Sequence, residues 1–161
     1  MEEVRFRQAD TENCMFCDRI RAGETHDFIE ETDLTIARVN GRQFEEGQSV
    51  IIPRRHASTL FDLSDEEADA VMRASRRLGR AIVKAFDAAG LLFYQNNGRV
   101  SGQTVPHYHL HVVPQHEDTS PWGNGPRHIA QLEAKEFVGG RPAVLTERQS
   151  GEVAARIRAH L

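Results

Sequence analysis

The sequence predicts an α+β domain: an antiparallel sheet of about five strands, one long helix and a C-terminal helix. Three observations carry that prediction. Short segments rich in β-branched residues recur between turn-forming residues. One long stretch follows a helical period. Residues 105–114, VPHYHLHVVP, alternate strictly between histidine and apolar side chains.

Residues 33–39, DLTIARV, read as a strand, and 48–53, QSVIIP, as a second one stopped by Pro53. Asn40-Gly41 and Gly47 lie between them, which predicts a hairpin with a longer loop. The long helix follows. Ser64 opens S-D-E-E, a capping box in which Glu67 reaches back to the cap. Val71, Ser75, Leu78, Ile82 and Phe86 then recur on one face, with Arg73, Arg76, Arg77, Arg80 and Lys84 elsewhere. The acidic start and basic end suit the helix dipole, and Gly90 is the expected stop. A solvated face accounts for the basic run.

Residues 91–95, LLFYQ, read as a third strand, NNGRVSGQ as a glycine-bearing loop, and VPHYHLHVVP as the fourth clear strand. Residues 116–126 form a loop. From Ser150, Val153, Ile157 and Leu161 follow a helical spacing that predicts a short amphipathic helix.

At 161 residues the chain suits one domain with a sizeable core. Its 39% apolar and 27% charged residues contain no apolar run near the ~20 residues of a membrane span. The start, MEEVRFRQAD, lacks the apolar region of a secretory signal, so a cytoplasmic protein with no membrane partner is the expectation. A net charge of −4 argues against a nucleic-acid partner, which calls for a basic face. A small anionic ligand needs only a few local donors. Cys14 and Cys17 form one C-x-x-C, a spacing that in the cytosol suggests metal ligation or redox chemistry over a structural disulfide.

The alternation at 107–111 sends His107, His109 and His111 to one side of a strand and Tyr108, Leu110 and Val112 to the other. Just upstream, Gly98 and Gly102 let backbone amides approach a ligand, and Asn96, Gln103 and Thr104 add side-chain donors. Donors that hold a phosphate beside a neutral imidazole that can attack phosphorus suit phosphoryl or nucleotidyl transfer. Two other readings stand at this point: an ordinary strand surface, and an H-x-H metal site.

The stretch GQTVPHYHLHVVP resembles the signature of the histidine triad (HIT) superfamily, with Tyr108, Leu110, Val112 and Val113 at its apolar positions. The resemblance extends upstream through NNG, IIPRRH, VNG and CMFCDRI, covering roughly residues 14–114. It implies a homodimeric nucleotide-binding fold that cleaves nucleoside phosphoramidates, adenylated amines or dinucleoside polyphosphates. By motif position His109 would be the nucleophile on the α-phosphorus and His111 a phosphate contact. Gln103 and Thr104 would line the phosphate site, with the Thr104 hydroxyl assisting the leaving group. Asn96 matches the amide position before the loop, and Asn40 the residue that bonds the ribose hydroxyls. No metal is required for this chemistry.

The same resemblance implies a structural zinc site of Cys14, Cys17, His56 and His107, as in bacterial-type members. Free cysteines with an ordinary loop histidine are the alternative there. On this view residues 1–13 are an extension, 14–115 the HIT-like domain, and 116–161 a loop and helix of the same domain. The chain runs some fifty residues past His111, farther than compact members, and Trp122 in PWGNG could cap the substrate or anchor its loop. His116 and His128 are read as exposed. Two functions from other classes remain open: a zinc-stabilised nucleotide-binding or interaction module with little turnover, and a redox metalloenzyme using the triad.

Overall fold

A computed structural model describes residues 14–117 and 143–161. The elements in chain order are α1 (Met15–Arg21), β1 (Phe28–Glu31), β2 (Thr35–Val39), β3 (Arg42–Gln43), β4 (Ser49–Pro53), α2 (Asp65–Phe86), β5 (Gly90–Tyr94), β6 (Leu110–Gln115), β7 (Ala143–Val144) and α3 (Glu147–Arg158). Five strands form one antiparallel sheet in the order β1-β2-β4-β6-β5, and β3 pairs with β7 in a separate ribbon.

Helices α2 and α3 cover one face of this sheet. Ala37, Ile51, Leu110 and Val112 point to them and meet Val71, Leu78, Ile82, Val153 and Ile157. Ile36, Val50 and Ile52, their neighbours in sequence, point the other way and pack with Cys14 and Phe16 of the α1 segment. The same alternation serves β6, where Leu110 and Val112 enter the main core and His111 faces the α1 side.

Ser64 caps α2 with both halves of the capping box in place, and the predicted core-facing residues are buried. The helix ends earlier than Gly90: Asp87 adopts the left-handed conformation (φ 50°), and Gly90 begins β5. A short polar side chain tolerates that region. The loop between β2 and β4 contains β3, so the hairpin is more structured than the glycine spacing suggests. The region of the histidines is a strand only from Leu110, and its pairing continues through Pro114 to Gln115. Helix α3 starts at Glu147, capped by Thr146, and Leu161 lies beyond it and is exposed. Helix α1 and strand β1 were not read from the sequence. Trp122 and His128 lie outside the described residues, and His116 is half-buried. Among the described residues no helix is long and apolar enough to cross a membrane.

Candidate active site

The C-x-x-C opens α1. Cys14 is its N-cap and its sulfur accepts from the Cys17 amide, so one helical turn brings both thiols to one side. His56 stands in the turn after β4, and His107 just before β6. The Cys14 Sγ lies 3.4 Å from His107 Nδ1, and Cys17 Sγ lies 3.3 Å from His56 Nδ1 and 3.5 Å from His107 Nδ1. One ligand atom from each of the four falls within 4.8 Å of the others, so the group could hold a metal ion.

His107 is fully buried, and its Nε2–H donates to the Pro53 carbonyl at 2.9 Å. That bond leaves the Nδ1 lone pair aimed at the sulfurs. Burial holds the ring neutral, with its pKa pushed down to about 4. Burial, the hydrogen bond with Cys14 and the charge of Cys14 push the Cys17 thiol up to about 11. A redox-active cysteine has the opposite character, a depressed pKa in an electropositive setting.

Two residues on, His109 donates from Nδ1 to the His107 carbonyl at 2.7 Å. Its Nε2 therefore carries the lone pair. Burial lowers its pKa, with the His107 carbonyl opposing, so the ring is neutral near pH 7. His111 stands edge-on to it, with ring centroids 4.9 Å apart. Burial and then the charge of His109 push the His111 pKa down to about 3. Phe16 touches both His107 and His109, at centroid distances of 5.7 and 5.8 Å.

The glycine loop lies beside this row. Gly98 and Gly102 have φ of 86° and 91°, where a side chain would be strained. A Cβ on Gly102 would also sit 3.0 Å from the Asn96 amide nitrogen. Gln103 is buried and both ends of its amide are engaged: Oε1 accepts from the Gly98 amide and Nε2 donates to the Ser58 carbonyl, each at 2.6 Å. Ser58 in turn lies 3.3 Å from His56 Nε2 through its hydroxyl. Thr104 is exposed. Asn40 is half-buried just after β2, its amide continuing the ladder to the Gln48 carbonyl. The structure thus brings together the triad, the metal-type group and the loop. It places no contact between the Asn40 side chain and the triad among the described residues.

Sequence reasoning missed Phe16, Tyr94 and the buried pair Asp27–Arg38, joined at 2.6 Å. Tyr94 lies flat on His111, with centroids 4.4 Å apart and planes 11° from parallel. Only the register, which sets Tyr94 opposite His111, exposes that partnership.

A model of the HIT domain matches residues 22–118, more than half of the chain. The chain belongs to the HIT family. It is 32% identical over 105 residues to "Protein hit" of Bacillus subtilis, covering 65% of this chain and 72% of that one. It is 32% identical over 107 residues to adenosine 5'-monophosphoramidase HNT1 of Saccharomyces cerevisiae, covering 66% and 65%. The crystal structure of a Hit-like protein involved in cell-cycle regulation from Bartonella henselae superposes with a TM-score of 0.76 at 27% identity, covering 96% of this chain and 100% of that one. The HIT match begins after the two cysteines, so the metal-type group joins the family domain to a segment in front of it.

Proposed function

We propose that the protein is a nucleotidyl hydrolase that cleaves a nucleoside 5'-phosphate linkage through a covalent intermediate on His109. The observation that carries this reading is the His109 Nδ1–H bond to the His107 carbonyl. It fixes the tautomer with a bare Nε2, the nucleophilic atom, in a neutral ring. In the first step Nε2 forms a bond to the α-phosphorus while the bond to the leaving group breaks. The Thr104 hydroxyl assists the departing group by donating a hydrogen bond to it, and the departing group takes its proton from solvent. Water then attacks the same phosphorus, the P–N bond to His109 breaks, and a nucleoside monophosphate leaves. His111 donates to the phosphate oxygens. Asn96 and the loop amides hold the anion, Gln103 shapes the loop from beneath, and Asn40 bonds the ribose.

A phosphoramidate is the first substrate to test, because a relative of this length and identity is named as an adenosine 5'-monophosphoramidase. A dinucleoside polyphosphate is the second. Zinc is the metal assigned to Cys14, Cys17, His56 and His107. Bond lengths of about 2.3 Å to sulfur and about 2.0 Å to nitrogen give a tetrahedral S···N edge of about 3.5 Å, against observed separations of 3.3–3.5 Å. Two thiolates and two imidazoles leave no open position for water, so zinc would serve structure and supply no reaction step. The reading includes a reducing cytoplasmic location, which keeps such thiols free. It also includes a homodimer formed through edge strand β5 and the neighbouring α2 surface, where Phe93 is 40% exposed beside Gly79 and Leu91.

The test is intact-protein mass spectrometry after brief, acid-free quenching with adenosine phosphoramidate or diadenosine polyphosphate, on wild type and His109→Ala. A nucleotidyl adduct present only in wild type is the expected result. No adduct and no turnover with either compound, while nucleotide still binds, would replace this reading with the zinc-stabilised binding module.

A further inference from the structure

His111 is held in an unusual way. Its Nδ1 is buried and has no hydrogen-bond partner among the described residues. His107 and His109 differ, since each has a ring nitrogen anchored to a backbone carbonyl. A buried N–H without an acceptor costs more than a buried lone pair without a donor. The neutral ring therefore keeps its proton on Nε2, and Nε2–H is a donor. Against the face of that ring lies the Tyr94 side chain. The two residues oppose each other directly across β5 and β6, and their rings stack at 4.4 Å and 11°. Offset or parallel stacking of this kind restrains an aromatic plane without a directional bond.

We propose that Tyr94 is a positioning residue for the reaction: by stacking on His111 it replaces the missing Nδ1 bond and keeps the Nε2–H donor aimed at the phosphate. The inference rests on the function proposed above, in which His111 contacts phosphate. The ring face does the positioning, and the phenol hydroxyl is not needed for it. Charge on the phosphate oxygens grows as the transition state forms, so a loosely held donor loses more there than in the ground state.

The variants are Tyr94→Phe and Tyr94→Trp, which keep a stacking face, and Tyr94→Leu, which keeps bulk without one. They are assayed on adenosine phosphoramidate, each at a temperature where its thermal transition shows it folded. Expected is a fall in kcat of about tenfold in Tyr94→Leu with KM within about twofold, and rescue to near wild type in Phe and Trp. In a His111→Ala background Tyr94→Leu should cost nothing further, because the two act as a unit. Equal losses in all three variants, or a Leu effect that persists undiminished without His111, would overturn the proposal and leave Tyr94 as a core residue. Nitrogen-15 NMR of the histidine rings without substrate separates this inference from the functional reading. One Nε2–H tautomer at His111 in wild type, and a mixture in Tyr94→Leu, supports positioning whether or not the phosphoramidate is turned over. A mixture already present in wild type overturns it.

Discussion

The two faces of the sheet are built by opposite rules. Beneath α2 and α3 the packing is mainly apolar, with Ala74, Ala81, Ile82, Val112 and Ala154 wholly enclosed and the buried Ser75 bonding back to the Met72 carbonyl of its own helix. Beneath α1 the apolar cluster is small, and buried polar groups surround it: Asp27 with Arg38, the four metal-type ligands, Gln103 and the histidine row. The first face draws stability from burial in proportion to area and tolerates conservative repacking. The second depends on particular partners, since each buried polar group costs free energy unless its bond is made. One strand serves both, because β6 sends alternate side chains each way. The lesson is that the candidate site lies on the face with the smaller apolar core, and relies on the other face to keep the strand in place.

The sharpest way to break this division is at His109. His109→Ala should lower kcat/KM at least about a thousandfold, about 4 kcal/mol of transition-state stabilisation. Its thermal midpoint should stay within a few degrees of wild type; a large drop would show that the histidine row is part of the stabilising core. Next is the metal-type group. Cys14→Ser should abolish stoichiometric zinc measured by mass spectrometry of the native protein and destabilise the fold by about 4 kcal/mol, roughly 10 °C. Full zinc content in that variant would remove Cys14 from the ligand set.

On the other face, Ile82→Ala should cost about 3 kcal/mol in denaturant unfolding, by loss of buried surface and a cavity. Below the transition its kcat should match wild type, and a changed kcat would show that the faces are not independent. The smallest effect belongs to Glu67, which accepts from the Ser64 amide at 2.9 Å and from Arg55 at 2.6 Å. The Arg55 hydrogen bonds hold its carboxyl below the ordinary value of 4.5. A depressed folded pKa gives stability that is complete above the unfolded value and is lost as pH falls through the folded one. Glu67→Gln should therefore cost on the order of 1 kcal/mol at pH 7 and progressively less below about pH 4.5. A difference from wild type that stays constant into acid would mean the carboxylate charge plays no part.

Much of this was legible in the chain itself. The capping box and helical period of α2, the two central strands, the alternation at 107–111 and the glycine loop depend on near neighbours, and local sterics and hydrogen bonding decide them. The end of α2 was not, because Asp87 stops it in a conformation that glycine usually takes. Helix α1 carries too few apolar residues for a period to show. Gln103, read from its place in the loop as lining the phosphate site, also ties that loop to the turn after β4, its amide bonding Gly98 and Ser58, contacts that only the folded chain brings about.

By itself the sequence determined that imidazoles and apolar side chains alternate over 107–111, a pattern that sends them to opposite sides wherever the backbone is extended, as it is in β6 from Leu110. Only the tertiary structure decided what each imidazole touches. It set His107 against Cys14, ninety-three positions away, turned the His109 ring by a carbonyl bond, and laid Tyr94 on His111 through the pairing of β5 with β6. Those outcomes depend on register and on burial between segments far apart in the chain, and no local preference encodes either.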